Sequence, residues 1–128
     1  YWVKSMGADA KGAIEVSEIP EGLSMLTAFD LNDASSGRVA FHLPRFEAAA
    51  APDVGGGDWA GWQELLASTE YGENTGHRDA MRVTTDFGFG TLSSALIALP
   101  SADFNDRKPV WRFAAGAPGE VEYEPVDI

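Results

Sequence analysis

The stretch that most limits the fold is "FGFGTLSSALIALP", residues 87 to 100, in which two glycines and a run of small hydroxyl residues lead into an apolar segment closed by a proline. Its length, its apolar content and Pro100 make Leu92 to Leu99 a strand. "FNDRKP" (104 to 109) has the composition of a turn, and "VWRFAA" (110 to 115) then supplies an antiparallel partner rich in β-branched and aromatic residues. A phosphate-cradling loop is excluded by order. Such loops follow a strand and open a helix whose N-terminus holds the anion, whereas Gly88 and Gly90 precede a strand.

Upstream, "YWVK" has strand character, "GADAKG" (7 to 12) supplies turn residues, and "AIEVSEI" (13 to 19) alternates apolar and polar as a half-exposed strand does. These predict a first hairpin, Tyr1–Ser5 with Ala13–Ile19. "GLSMLTAF" (22 to 29) is more continuously apolar and reads as a strand buried on both faces, a run short enough that its pattern also fits a helix. The polar run "DLNDASSG" (30 to 37) favours a turn and a helix N-cap. The helix after it would carry Val39, Leu43, Phe46 and Ala50 on one face, with Pro44 kinking or restarting it. "APDVGGG" (51 to 57) reads as a surface loop, and Asp58 as the cap of a second helix striped by Trp59, Trp62, Leu65 and Leu66. Those tryptophans are expected in the core. "TEYGENTGHRD" (69 to 79) is a loop, and "GAPGEVEYEPVDI" an irregular acidic tail with a short edge strand. Strands, then helices, then strands give an α+β fold with an antiparallel sheet and helices on one side.

Composition narrows function by exclusion. Twenty acidic residues against nine basic ones give a net charge of −11, which disfavours a nucleic-acid partner. The absence of cysteine removes disulfides, thiolate zinc sites and a cysteine nucleophile from these residues. The longest apolar run is far short of the ~20 residues of a membrane-spanning helix. With no leader-like opening segment, a soluble, cytoplasmic protein is expected. His42 and His77 lie far apart without metal-ligand spacing and read as surface residues, so neither a metal nor another cofactor is expected. "DFND" (103 to 106) lacks the glycine and distant glutamate of a calcium loop. Ser93 and Ser94 have no His or Lys nearby in sequence and no nucleophile-elbow glycines.

Two segments resemble the NRDE family, named for an Asn-Arg-Asp-Glu segment and including the transport-and-Golgi-organisation proteins. "IPEGLSMLTAFDLND" (19 to 33) is similar to the family's P-x-G, apolar strand and polar turn, and "FGTLSSALIALP" (89 to 100) to its aromatic-Gly-Thr strand, with "PVWRF" as the hairpin partner. Between them, "LPRFEAAAAPD" and "DWAGWQELLA" resemble the helical region of bacterial members. The resemblance implies the C-terminal half of a protein roughly twice this length, still within one large domain. Its fold would be an α-β-β-α sandwich like that of N-terminal-nucleophile hydrolases.

On that resemblance the nucleophile and the Asn-Arg-Asp-Glu segment would lie upstream of Tyr1, in the missing N-terminal half, which is the expected partner. This half would supply pocket walls from Thr27, Asn32 and Asp33 of the first segment and Gly90, Thr91 and Ser93 of the second, for a small-molecule ligand. Two functions follow from the resemblance: a cysteine-type amidohydrolase, or a non-catalytic binding or trafficking protein handling haem or lipid. The chain reads Leu26-Thr27-Ala28-Phe29 where related amidohydrolases carry an Asn able to donate to an oxyanion, and Leu92 where some members carry an arginine.

Overall fold

The computed structural model describes residues 2–5, 14–103 and 106–127. Strands β1 (Trp2–Ser5) and β2 (Ile14–Ser17) pair antiparallel as a two-stranded sheet of their own, with Val3 opposite Val16. The first hairpin is therefore present; its turn, residues 7 to 12, lies outside the described residues.

The reading of residues 22 to 29 as a buried strand is overturned. The segment is irregular, and Leu26 and Phe29 stand half-exposed at 51% and 52%. Both backbone groups of Met25 and the N–H of Phe29 are bonded within the loop. Asn32 adopts a left-handed backbone (φ 56°), its N–H donates to the Met25 carbonyl at 3.1 Å, and its Oδ1 accepts the Met25 N–H at 2.7 Å. Asn is among the few residues that visit this region readily, because its short polar side chain bonds nearby backbone. Thr27 Oγ1 accepts the Phe29 N–H at 3.1 Å, turning the chain again.

Helix α1 (Gly37–Ala48) begins where the polar run ends. Ser36 is its N-cap and accepts from the Val39 N–H, while Asp33 Oδ1 accepts the Ser35 N–H at 2.8 Å and the Asp33 carbonyl accepts the Ser36 N–H at 3.0 Å. The helix runs on through Pro44 without restarting. Pro44 lacks an N–H for the Ala40 carbonyl, but both residues are exposed, so water can take that acceptor.

Helix α2 (Ala60–Leu66) is one residue shorter at its start than an Asp58 cap implies: Trp59 occupies the N-cap position. Asp58 still helps, since its Oδ1 accepts the Ala60 N–H at 3.0 Å. The Phe46 and Trp62 rings meet edge to face at 5.5 Å, locking α1 to α2.

Strands β3 (Ser94–Ala98), β4 (Val110–Ala114) and β5 (Glu124–Pro125) form an antiparallel sheet in that order, with Leu96 opposite Arg112 and Ile97 opposite Trp111. This is the predicted second hairpin plus the edge strand. The fold is α+β with an antiparallel sheet.

The two faces of that sheet differ. Leu96 and Ala114 are buried, and Leu96 shares a cavity of about 330 Å3 with Leu43, Phe46, Trp62 and Leu66 of the helices. The core continues through Val39, Trp59, Ala80 and Val83. On the opposite face Ile97 is 56% exposed and Phe113 36%, and Leu99 just past the strand is 76% exposed.

Asn32→Ala keeps the backbone length but forces an alanine into the left-handed region and deletes the acceptor for Met25. It is expected to cost about 1–2 kcal/mol in urea unfolding. Asn32→Gly, which adopts that conformation freely, should cost measurably less.

Candidate functional site

The loop between Val83 and Thr91 builds one side of a surface cleft. The Thr91 N–H donates to the Val83 carbonyl at 2.9 Å, and Thr91 Oγ1 accepts the Val83 N–H at 2.9 Å while lying 3.4 Å from the Met81 carbonyl. Thr84 and Gly90 pair as a β-bridge. A β-carbon on Gly90 would come within 2.9 Å of the Val83 carbonyl oxygen, so the backbones can close this tightly because Gly90 has none. At the tip Gly88 has φ +83°, the turn conformation that glycine favours, and the Thr85 hydroxyl donates to the Phe89 carbonyl. Phe87 and Phe89 are thereby held outward, 71% and 61% exposed.

Between this loop and the start of α1 lies a cleft of about 450 Å3, lined by Arg38, Arg78, Met81, Val83, Phe87, Phe89, Gly90 and Thr91. Arg38 Nη2 donates to the Arg78 carbonyl, tying α1 to the short 3-10 turn His77–Asp79. Arg45 and Arg82 meet carboxylates, Glu70 and Glu120 respectively, whereas Arg38 and Arg78 meet none among the described residues.

Of the six residues nominated from sequence, Gly90 and Thr91 line this cleft; Thr27, Asn32, Asp33 and Ser93 do not. Thr27, Asn32 and Asp33 shape the loop before α1. Ser93 is exposed without a hydrogen bond, and the Ser94 and Tyr123 hydroxyls pair at 2.5 Å. Thr91 uses its hydroxyl on Val83, so what it turns to the cleft is a fixed wall.

The placement of His42 at the surface is overturned. Its residue is 0% exposed, on the same face of α1 as Val39 and Phe46, and its ring meets Phe41 edge to face at 4.9 Å. The signal was available: His42 lies three residues after Val39 and four before Phe46. Neither ring nitrogen has a partner in hydrogen-bond geometry. Burial is the main cause holding its pKa below the usual 6.5, followed by the positive charge of Arg45; the Glu70 backbone opposes this, Arg38 adds to it, and the Asp79 backbone opposes it least. His77 is exposed, as read from sequence. The two arginines of the cleft, 40 positions apart, were not nominated, since no spacing rule joins them.

Among the described residues no group of His, Cys, Asp and Glu is placed to hold a metal ion, and no helix is long and apolar enough to cross a membrane. Comparison with known proteins found no matching family model, no matching curated protein and no matching solved structure.

A buried neutral histidine gives a signed pH dependence. With its folded pKa below 6.5, the unfolded chain takes up the proton first as pH falls, so His42's contribution is complete above about pH 6.5 and is lost progressively below it. The slope approaches ~1.4 kcal/mol per pH unit until the folded pKa is reached. Urea unfolding between pH 7.5 and 5 should show this fall (about that window), and His42→Phe should flatten it.

Proposed function

We propose that this chain is the ligand-binding half of an NRDE-type α-β-β-α unit, in which a second sheet from the same protein covers the bare face of β3 and β4. The observation that carries the reading is the two-faced sheet: Leu96 is buried against the helices, whereas Ile97, which also lines that cavity, Leu99 and Phe113 stay exposed among the described residues. Contiguous exposed apolar surface of this kind marks an interaction face. The resemblance of residues 19 to 33 and 89 to 100 to that family supports a β-layer as the occupant. The cleft beside Gly90 and Thr91 then forms one wall of a small-molecule pocket.

Binding is the reading the geometry supports best. Amide hydrolysis, the other function the resemblance implies, would on that resemblance draw its nucleophile from upstream of Tyr1; Ser94 is engaged with Tyr123. Assay of the full-length protein against N-acyl amides separates the two. Release of amine identifies the hydrolase, and saturable binding without release identifies the carrier.

The layer assignment has its own test. Ile97→Glu and Phe113→Glu place charges on the bare face. If a second sheet covers it, each should destabilise the full-length protein by more than about 2 kcal/mol, the cost of burying an unpaired charge. Changes within about 0.5 kcal/mol, typical of solvent-facing positions, would refute the sandwich.

A further inference from the structure

We infer that the cleft between α1 and the Val83–Thr91 loop takes an amphipathic anion: an oxyanion head, carboxylate or phosphate monoester, on an apolar body. The inference rests on the pocket reading above and names its ligand class. Three observations carry it.

First, two arginines, Arg38 and Arg78, line one cleft. Arg38 is half-buried and fixed by its hydrogen bond to the Arg78 carbonyl, and its Nε is enclosed without an acceptor. No acidic residue lines the cleft. The nearest carboxylate in sequence, Asp79, faces the Gly76 N–H at 3.5 Å instead. Two arginines on one cleft whose lining holds no carboxylate, in a chain of net charge −11, are a place where an anion is stabilised. Arginine forks suit the paired oxygens of carboxylate and phosphate.

Second, the remaining lining is apolar: Met81, Val83, Phe87 and Phe89. An inorganic anion would leave these surfaces wet, whereas an alkyl or aryl body would bury them. Third, the phenylalanines do not dangle. The loop that presents them is clamped at its base by Val83 and Thr91 and at its tip by Thr85 and Phe89, so little ordering entropy is lost on binding. The volume, about 450 Å3, falls within the span of small-molecule sites.

The test uses the whole chain with three probes sharing one body: octanoate, octyl phosphate and uncharged octanol, titrated by calorimetry and ligand-observed NMR. At least one anion should bind about tenfold or more tightly than octanol, and raised salt should shrink that difference. Arg38→Gln and Arg78→Gln should each weaken the anions about tenfold and leave octanol unchanged, while Phe87→Ser should weaken all three. Arg78→Gln is the cleaner variant, because the Arg78 side chain holds no backbone group in place. The tighter of the two anions identifies the head as carboxylate or phosphate. If octanol matches the anions, or both arginine variants keep full anion affinity, the anion inference falls while the pocket stands. Failure of all three probes to bind overturns both.

Discussion

The clamp between Val83 and Thr91 is the constraint on which the cleft depends. A threonine hydroxyl takes the Val83 N–H, the Thr91 N–H takes the Val83 carbonyl, and Gly90 lets the two backbones close without a β-carbon between them. Because Val83 and Ala80 are anchored in the core, the clamp transmits the rigidity of the interior to a surface loop. Its tip can then carry two exposed phenylalanines in fixed positions, where a free loop would collapse them onto the protein. The same closure sets the entry to β3, so the loop's geometry and the sheet's register are linked.

Electrostatics divides the arginines into two groups. Arg45 and Arg82 act as ties: Arg45 joins α1 to Ser68 and Glu70 and lies 5.1 Å over the Phe41 ring, and Arg82 reaches the Pro118 carbonyl at 3.2 Å and Glu120 at 3.4 Å. Both hold long connections against the core without extra apolar mass. Arg38 and Arg78 meet no carboxylate among the described residues. His42 lies between the two groups along α1, close enough to Arg45 and Arg38 that a proton on its ring would add a third positive charge to an enclosed space. Keeping it neutral is what lets a histidine fill a position between Val39 and Phe46.

Much of the fold could be read from local pattern. The hairpin of β3 and β4 follows from two apolar runs separated by a turn, and α1 from its Ser36 cap and the spacing of Val39 and Phe46. Residues 22 to 29 differ from a buried strand because apolar content there reports neither burial nor pairing; Asn32 bonds both backbone groups of Met25 that a strand partner would have taken. His42 was misread because its chemistry was weighed alone, without the stripe it belongs to. Of the site, the glycine and threonine of "FGFGT" were visible as a strand entrance. The arginines were not, since a cleft formed by α1 and a turn 40 residues later is a property of packing.

Two groups among the exposed apolar residues stand in surroundings that argue for different occupants. Burying a Phe, Leu or Ile side chain is worth about 1.5–3 kcal/mol, so either set represents binding energy not yet used. Ile97 and Phe113 lie on a sheet face at the pleat spacing, next to strand neighbours of the same kind, and a second pleated layer matches that repeat over its whole area. Phe87 and Phe89 stand on a narrow loop beside two cations, a surface too small and too charged for a sheet to cover without stranding both guanidinium groups. A small amphipathic anion satisfies the phenylalanines and the arginines at once, which is why the flat face and the cleft are better read as two sites than as one continuous interface.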